Sequence, residues 1–97
     1  PPVAKIAFTG SSATGRAINE QAAKHFKRCT LELGGKSPNI VFADANLDDA
    51  VNGAVSGIFA ATGQTCIAGS RLLLQESIHD AFLDKLVALA KTARMGN

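Results

Sequence analysis

The chain has 97 residues, 46% of them hydrophobic, with ten Lys and Arg against eight Asp and Glu. That length suits one small domain burying about 60% of its unfolded surface and excludes two independent cores, while the composition excludes disorder, collagen and a coiled coil. A net charge of +2 without Trp or Tyr argues against a nucleic-acid partner, because the clustered Lys24, Lys27 and Arg28 have no aromatic platform beside them.

In chain order, Lys5 to Thr9 reads as a short buried strand ending at Gly10. A helix follows at once, with Ile18, Ala22 and Phe26 at i, i+4 and i+8, capped by Ser11, Ser12 or Thr14. Lys24, Lys27 and Arg28 are expected in its last turns, where cations suit the dipole. Cys29 to Leu33 alternates as a strand. Gly34-Gly35-Lys36-Ser37-Pro38 breaks it, and Asn39 to Phe42 is another apolar strand. Asn46, with Asp48 and Asp49 behind it, starts a helix whose stripe is Val51, Ala54, Val55, Ile58 and Phe59; Gly53 and Gly57 are expected to allow close packing. Ala61-Thr62-Gly63-Gln64 ends it. Ser70 to Gln75 is a strand, continuously apolar from Leu72 to Leu74, as in a sheet covered on both faces. Ser77 is expected to cap a final helix bearing Ile78, Phe82, Leu86, Leu89 and Ala93, with Lys91 and Arg94 at its end and Gly96 as its C′ residue.

Strands alternating with helices predict an α/β fold, made of three-layer, parallel-type sheet pieces. The one break in composition is Gly34-Gly35, the natural domain seam. No apolar run approaches the ~18–20 residues of a membrane span, so no membrane partner is expected. No charged n-region precedes an apolar stretch at the N-terminus. The chain opens without Met in strand-like sequence and stops as a helix ends, so both ends are expected to be cuts in a longer chain. Two cysteines make no disulfide framework and fit a reducing compartment.

Three features carry chemistry. Gly10 to Gly15, between a strand and a helix start, presents backbone N–H groups to an anion. Gly-x-x-x-x-Gly-Arg16-Ala17 comes close to a P-loop, but Ala17 lacks the hydroxyl that holds Mg²⁺, and Arg16 replaces the lysine. It is not the dinucleotide G-x-G-x-x-G either, since Ser12 takes the second glycine position. The plain alternative is a strand–helix turn that needs small residues. Glu32 sits in an apolar strand just before two glycines. It is either a strand-face carboxylate meeting solvent or a general base whose pKa burial raises. Cys66 lies in the loop Gly63 to Gly69, flanked by small residues that leave a sulfur accessible. A free cysteine is otherwise a small buried hydrophobe, as Cys29 reads from its alternation with Leu31 and Leu33. His25 and His79 have neither partner nor ligand spacing, and no metal-ligand cluster is present.

Phe8-Thr9-Gly10-Ser11 with Gly15, Leu31-Glu32-Leu33-Gly34-Gly35-Lys36-Ser37-Pro38, and Gly63-Gln64-Thr65-Cys66-Ile67-Ala68-Gly69-Ser70-Arg71 together closely resemble the aldehyde dehydrogenase superfamily. The resemblance covers essentially the whole chain, including the 34-position spacing from Glu32 to Cys66. It implies residues 1–33 as the C-terminal part of a Rossmann-like NAD(P)-binding domain and 34–97 as the N-terminal part of the catalytic domain. It implies Cys66 as nucleophile, forming a thiohemiacetal and then a thioester, and Glu32 as the base that activates the hydrolytic water. The cofactor is NAD or NADP, with NAD favoured. Gly10, Ser11 and the loop to Gly15 would meet it, Ser11 at a pyrophosphate oxygen. Thr9 would lie near the nicotinamide, and the Leu33 carbonyl would hold the carboxamide. Thr14 stands where the family commonly has an apolar residue touching adenine. The Cys66 N–H would form half of an oxyanion hole, the other half lying upstream of this sequence.

The implied partner is a small-molecule aldehyde, and the implied assembly of the parent a homodimer or homotetramer, cytoplasmic or in the mitochondrial matrix. The isolated chain is expected to be inactive. A non-catalytic nucleotide-binding module, or an assembly piece driven by Val55, Ile58 and Phe59, is the alternative.

Overall fold

The computed structural model describes residues 2–96. Its elements are β1 (Lys5–Thr9), α1 (Ser12–Ala23), β2 (Arg28–Glu32), β3 (Pro38–Val41), α2 (Leu47–Phe59), β4 (Arg71–Leu74) and α3 (His79–Ala90), with 3₁₀ turns at Ala60–Gly63 and Glu76–Ile78. The chain divides into two compact units after Gly35. Each unit holds a two-stranded parallel sheet, β1 with β2 and β3 with β4. Parallel neighbours cannot be joined by a tight turn, so a crossover must separate them. Here α1 and α2 are those crossovers, and the chain is an α/β fold as its alternation predicts.

In the first unit, Ile6, Phe8, Cys29 and Leu31 are half-buried, while Lys5, Ala7, Thr9, Arg28, Thr30 and Glu32 are exposed. The register joins Ile6 to Cys29, Phe8 to Leu31 and Thr9 to Glu32. The period-2 pattern therefore puts one apolar face under α1, whose Gly15 and Ala22 are buried.

The helix ends earlier than its apolar period predicts. Phe26 lies beyond it, 97% exposed and left-handed at φ 50°. The Phe26 N–H donates to the Ala23 carbonyl at 3.1 Å and the Lys27 N–H to the Ala22 carbonyl at 3.0 Å. These are the two bonds of a Schellman C-cap, with Phe26 where glycine is usual. The expected cationic last turn is thus corrected: α1 ends at Ala23, Lys24 and Lys27 lie in the turn that follows it, and Arg28 opens β2.

The second unit has its core between one sheet face and two helices. Phe82, fully buried, packs with Val41, Val51 and Ala54, and Leu72, Leu74, Ile78, Leu86 and Leu89 surround them. Asn46 caps α2 as expected, its Oδ1 accepting from the Asp48 and Asp49 N–H groups at 3.1 Å each. Lys85 of α3 pairs with Asp48 of α2.

Several expectations need correction here. Leu73 is 47% and Ile40 57% exposed, so within this chain β3–β4 is covered on one face, not two. Among the described residues no atom lies near enough to Gly53 or Gly57 for their lack of a side chain to serve close packing. Within the α2 stripe Val55 and Ile58 are half-buried and Phe59 is exposed. Ser77 does not cap α3: it sits inside a 3₁₀ turn, and the N-cap position falls to Ile78 without a side-chain bond. α3 stops at Ala90 with Lys91 as C-cap, leaving Ala93 exposed and Gly96 beyond any C′ role.

These contacts set opposite stability effects. Phe82→Ala empties the centre of the core in the second unit and lowers stability by about 3–5 kcal/mol. Phe26→Gly removes an exposed side chain from a left-handed position, and raises stability by about 1 kcal/mol. Urea unfolding of the chain followed by circular dichroism checks both signs.

Candidate active site

The strand register gathers the predicted first-unit residues at one place. Thr9 and Glu32 are direct partners at the carboxyl ends of β1 and β2, so their exposed side chains share a face. The Gly10 N–H donates to the Glu32 carbonyl at 3.0 Å, which extends the pairing one step into the turn. Ser11 is the N-cap of α1, with φ −72° and ψ 150°. Its Oγ accepts from the Thr14 N–H at 3.2 Å and donates to Thr14 Oγ1 at 3.0 Å. The Gly15 N–H donates to the Ser11 carbonyl at 2.9 Å. Thr9, Gly10, Ser11, Thr14, Gly15, Glu32 and Leu33 thus occupy one sheet end and one helix N-terminus.

Two glycines make that turn possible. A Cβ on Gly10 would stand 2.6 Å from the tip of the Phe8 ring, and one on Gly15 would stand 2.6 Å from Leu33 Cδ2. Leu33 therefore occupies the space that Gly15 leaves, drawing the chain after β2 against the first turn of α1. Ligands of open parallel sheets bind outside the strands' carboxyl ends, and a helix N-terminus there offers N–H groups and a favourable dipole to an anion. Beside it, Ile6, Thr14, Ala17, Ile18 and Gln21 line an open apolar groove of about 380 Å³. The Glu32 side chain is exposed within this unit.

Cys66 lies in the second unit, on an exposed stretch between the 3₁₀ turn and β4. Cys29, by contrast, is half-buried under α1. The turn before the Cys66 loop is left-handed at three successive residues, Ala61 (φ 48°), Thr62 (φ 56°) and Gly63 (φ 74°). For Ala and a β-branched Thr this is a sparsely populated backbone, of the kind that persists where surrounding contacts impose it. Those contacts are present: the Gln64 N–H donates to the Ala61 carbonyl at 3.1 Å, and Gln64 Nε2 to Thr62 Oγ1 at 2.6 Å. Further on, the Ala68 N–H donates to the Thr65 carbonyl at 3.1 Å and the Gly69 N–H to the Gly57 carbonyl at 3.2 Å. Ser37 Oγ donates to the Cys66 carbonyl at 3.4 Å.

Sequence reasoning missed the residues that hold this loop, Ser37, Asn39 and Arg71, because they act across 29 to 35 positions of chain. The only hint was that Lys36-Ser37-Pro38 and Ser70-Arg71 flank β3 and β4. His79 also differs from expectation, since its Nδ1 lies 2.8 Å from Asp80 Oδ1. Among the described residues no group of three His, Cys, Asp or Glu could hold a metal, and no helix is long and apolar enough to cross a membrane.

The first unit thus carries a glycine-bounded turn beside an exposed carboxylate, and the second an exposed loop cysteine. The family model of the aldehyde dehydrogenase family matches residues 1–97. The chain belongs to that family. It is 56% identical over 94 residues to aldehyde dehydrogenase 1A1 of Oryctolagus cuniculus, covering 96% of this chain and 19% of the relative. Among solved structures, an NAD-dependent aldehyde dehydrogenase from Sinorhizobium meliloti superposes with TM-score 0.94 at 48% identity, over 100% of this chain and 19% of that one. PnpE, known from Pseudomonas sp. WBC-3, in complex with nicotinamide adenine dinucleotide, superposes with TM-score 0.89 at 60% identity, over 97% and 19%. The chain thus spans about one fifth of the length of the relatives it matches.

The turn itself gives a stability prediction. Gly15→Ala must push Leu33 aside and costs about 1–3 kcal/mol; Ser11→Ala removes the cap and costs about 1 kcal/mol. Urea unfolding of the two variants beside the parent chain measures the difference, and equal midpoints for all three would contradict the packing described.

Proposed function

We propose that this chain is the central piece of an NAD(P)-dependent aldehyde dehydrogenase that oxidises an aldehyde to a carboxylic acid through a covalent intermediate on Cys66. The observation that carries this reading is the match over all of residues 1–97, within which lie both an exposed cysteine and a carboxylate at the strand ends. Residues up to Leu33 then belong to the cofactor domain and those from Gly34 to the catalytic domain, close to the division after Gly35.

The residues of the first unit fit the cofactor. Gly10 and Gly15 let Phe8 and Leu33 pack against the turn, which sets the N-terminus of α1 at the strand ends. Ser11 and the first N–H groups of α1 would hold that pyrophosphate, Thr14 and its apolar groove the adenine side, and Thr9 with the Leu33 carbonyl the nicotinamide side. Bound there, NAD(P)⁺ supplies the hydride acceptor of the oxidation. NAD is the favoured form, in keeping with the NAD complex of PnpE and the NAD-dependent relative.

The thiolate Sγ of Cys66 attacks the aldehyde carbon, and the carbonyl π electrons move to oxygen. The Cys66 N–H donates to that oxyanion. Loss of hydride from the resulting thiohemiacetal leaves a thioester on Cys66, with the carbon two electrons more oxidised. Glu32 takes a proton from water, whose oxygen attacks the thioester carbon. The C–S bond breaks, the acid departs and the thiolate returns. The small residues around Cys66 and its exposure leave the sulfur within reach of a substrate. The reading extends to a parent homodimer or homotetramer of the cytoplasm or mitochondrial matrix, and to an inactive isolated chain, since half an oxyanion hole alone lowers rate by about 10²–10³.

In the full-length enzyme, Cys66→Ser is expected to lower kcat by about 10⁴-fold or more. Glu32→Gln is expected to keep a first-turnover burst of NADH while steady-state turnover falls by about 10²–10⁴. Stopped-flow absorbance at the NADH band separates the two. A Cys66→Ser enzyme with near-normal turnover contradicts the mechanism, whereas oxidation of a simple aldehyde by the isolated 97-residue chain contradicts only its expected inactivity.

A further inference from the structure

Besides the Gly69–Gly57 bond, the loop carrying Cys66 is fastened to one short segment, Lys36–Asn39. Arg71, at the far end of the loop, donates from Nε to the Lys36 carbonyl at 2.9 Å. Its own N–H donates to the Ser37 carbonyl at 3.2 Å. Ser37 Oγ in turn donates to the carbonyl of Cys66 at 3.4 Å. On the same segment the Asn39 side chain packs against Gly69, where an added Cβ would come within 3.2 Å. The exposed Arg71 thus commits its guanidinium to a backbone carbonyl in a turn, a contact that needs a directed Nε–H and that a lysine ammonium on a flexible stem does not reproduce.

The consequence is geometric. The Ser37 contact restrains the peptide that leaves Cys66, and with it rotation about the Cys66 backbone. Both the thiol and the N–H of Cys66 ride on that backbone. A nucleophile must stand at near-attack distance and angle from its carbonyl, and small misplacements are expensive in rate. Resting on the reading of Cys66 as nucleophile, we propose that Ser37 and Arg71 are its positioning residues: Arg71 pins Lys36 and Ser37, and the Ser37 hydroxyl pins the Cys66 peptide. Neither residue touches substrate or cofactor in this scheme; both act through Cys66.

The test uses the full-length enzyme and the NADH burst rate. Ser37→Ala is expected to slow the burst about 10-fold, the scale of one directed hydrogen bond. Ser37→Thr, which keeps the hydroxyl, is expected to stay within about two-fold of the parent. Arg71→Lys, which keeps the charge but loses Nε–H, is expected to slow the burst like Ser37→Ala, and the double variant to be no slower than either single one, because both break one tether. The KM for NAD⁺ is expected to hold within about two-fold throughout, since the tether lies outside the turn at Gly10–Gly15. A Ser37→Ala burst equal to the parent's overturns the proposal. So does a loss that Ser37→Thr fails to restore and that raises the KM for NAD⁺, the mark of general distortion. Cys66→Ser serves as the control: if it keeps the burst, the nucleophile reading falls and this proposal with it. If it is dead while Ser37→Ala is unimpaired, only this proposal falls.

Discussion

Parallel pairing of β1 with β2 is the constraint on which the first unit rests. Two parallel strands put their carboxyl ends side by side and oblige the chain to cross back through a helix, so the helix must begin where both strands end. Register then decides which side chains meet there. Thr9 opposite Glu32 sets a carboxylate beside the turn whose next N–H, from Gly10, reaches the Glu32 carbonyl. A slip of one residue would turn Glu32 toward α1 and Leu31 toward water. The apolar pairs Ile6–Cys29 and Phe8–Leu31 prevent it, so the same burial that holds the sheet also aims the carboxylate.

The second unit solves a different problem, that of holding an exposed thiol still. The Phe82-centred core fixes α2, α3 and one face of β3–β4, but Cys66 itself lies outside that core. Its loop is held instead by polar contacts to Lys36–Asn39 and Gly57, and enters through three left-handed residues. Hydrogen bonds from side chains and backbone, rather than burial in that core, hold this exposed loop. Ile40, Phe42 and Leu73 remain exposed in this chain, which spans one fifth of its relatives.

Local signals carried far in the sequence. Period-2 alternation found β2, a short run ending at Gly10 found β1, and Asn46 with its following acids marked the start of α2, because a side chain bonding its own neighbours depends on nothing distant. The glycine, glutamate and cysteine motifs led to the family, which the match over residues 1–97 establishes. The misreadings share one cause. Phe26 continues an apolar helical period, yet the Schellman bonds end the helix with no glycine to announce it. Leu72 to Leu74 reads as doubly covered, although coverage is decided by elements other than the strand. Ser77 is a good capping residue displaced by a 3₁₀ turn. The left-handed Ala61 and Thr62, and the tether from Arg71 through Ser37 to Cys66, arise from contacts between distant segments and leave no periodic trace.

The central claim is that oxidation passes through an acyl group on Cys66 released by Glu32. Full-length Glu32→Gln enzyme, mixed with NAD⁺ and one equivalent of an aldehyde and quenched in acid, tests it by intact mass and peptide mapping. The account predicts a mass gain equal to the acyl group, located on the peptide containing Cys66 and absent without NAD⁺. An unmodified protein after a full NADH burst, or an adduct on any other residue, would contradict it.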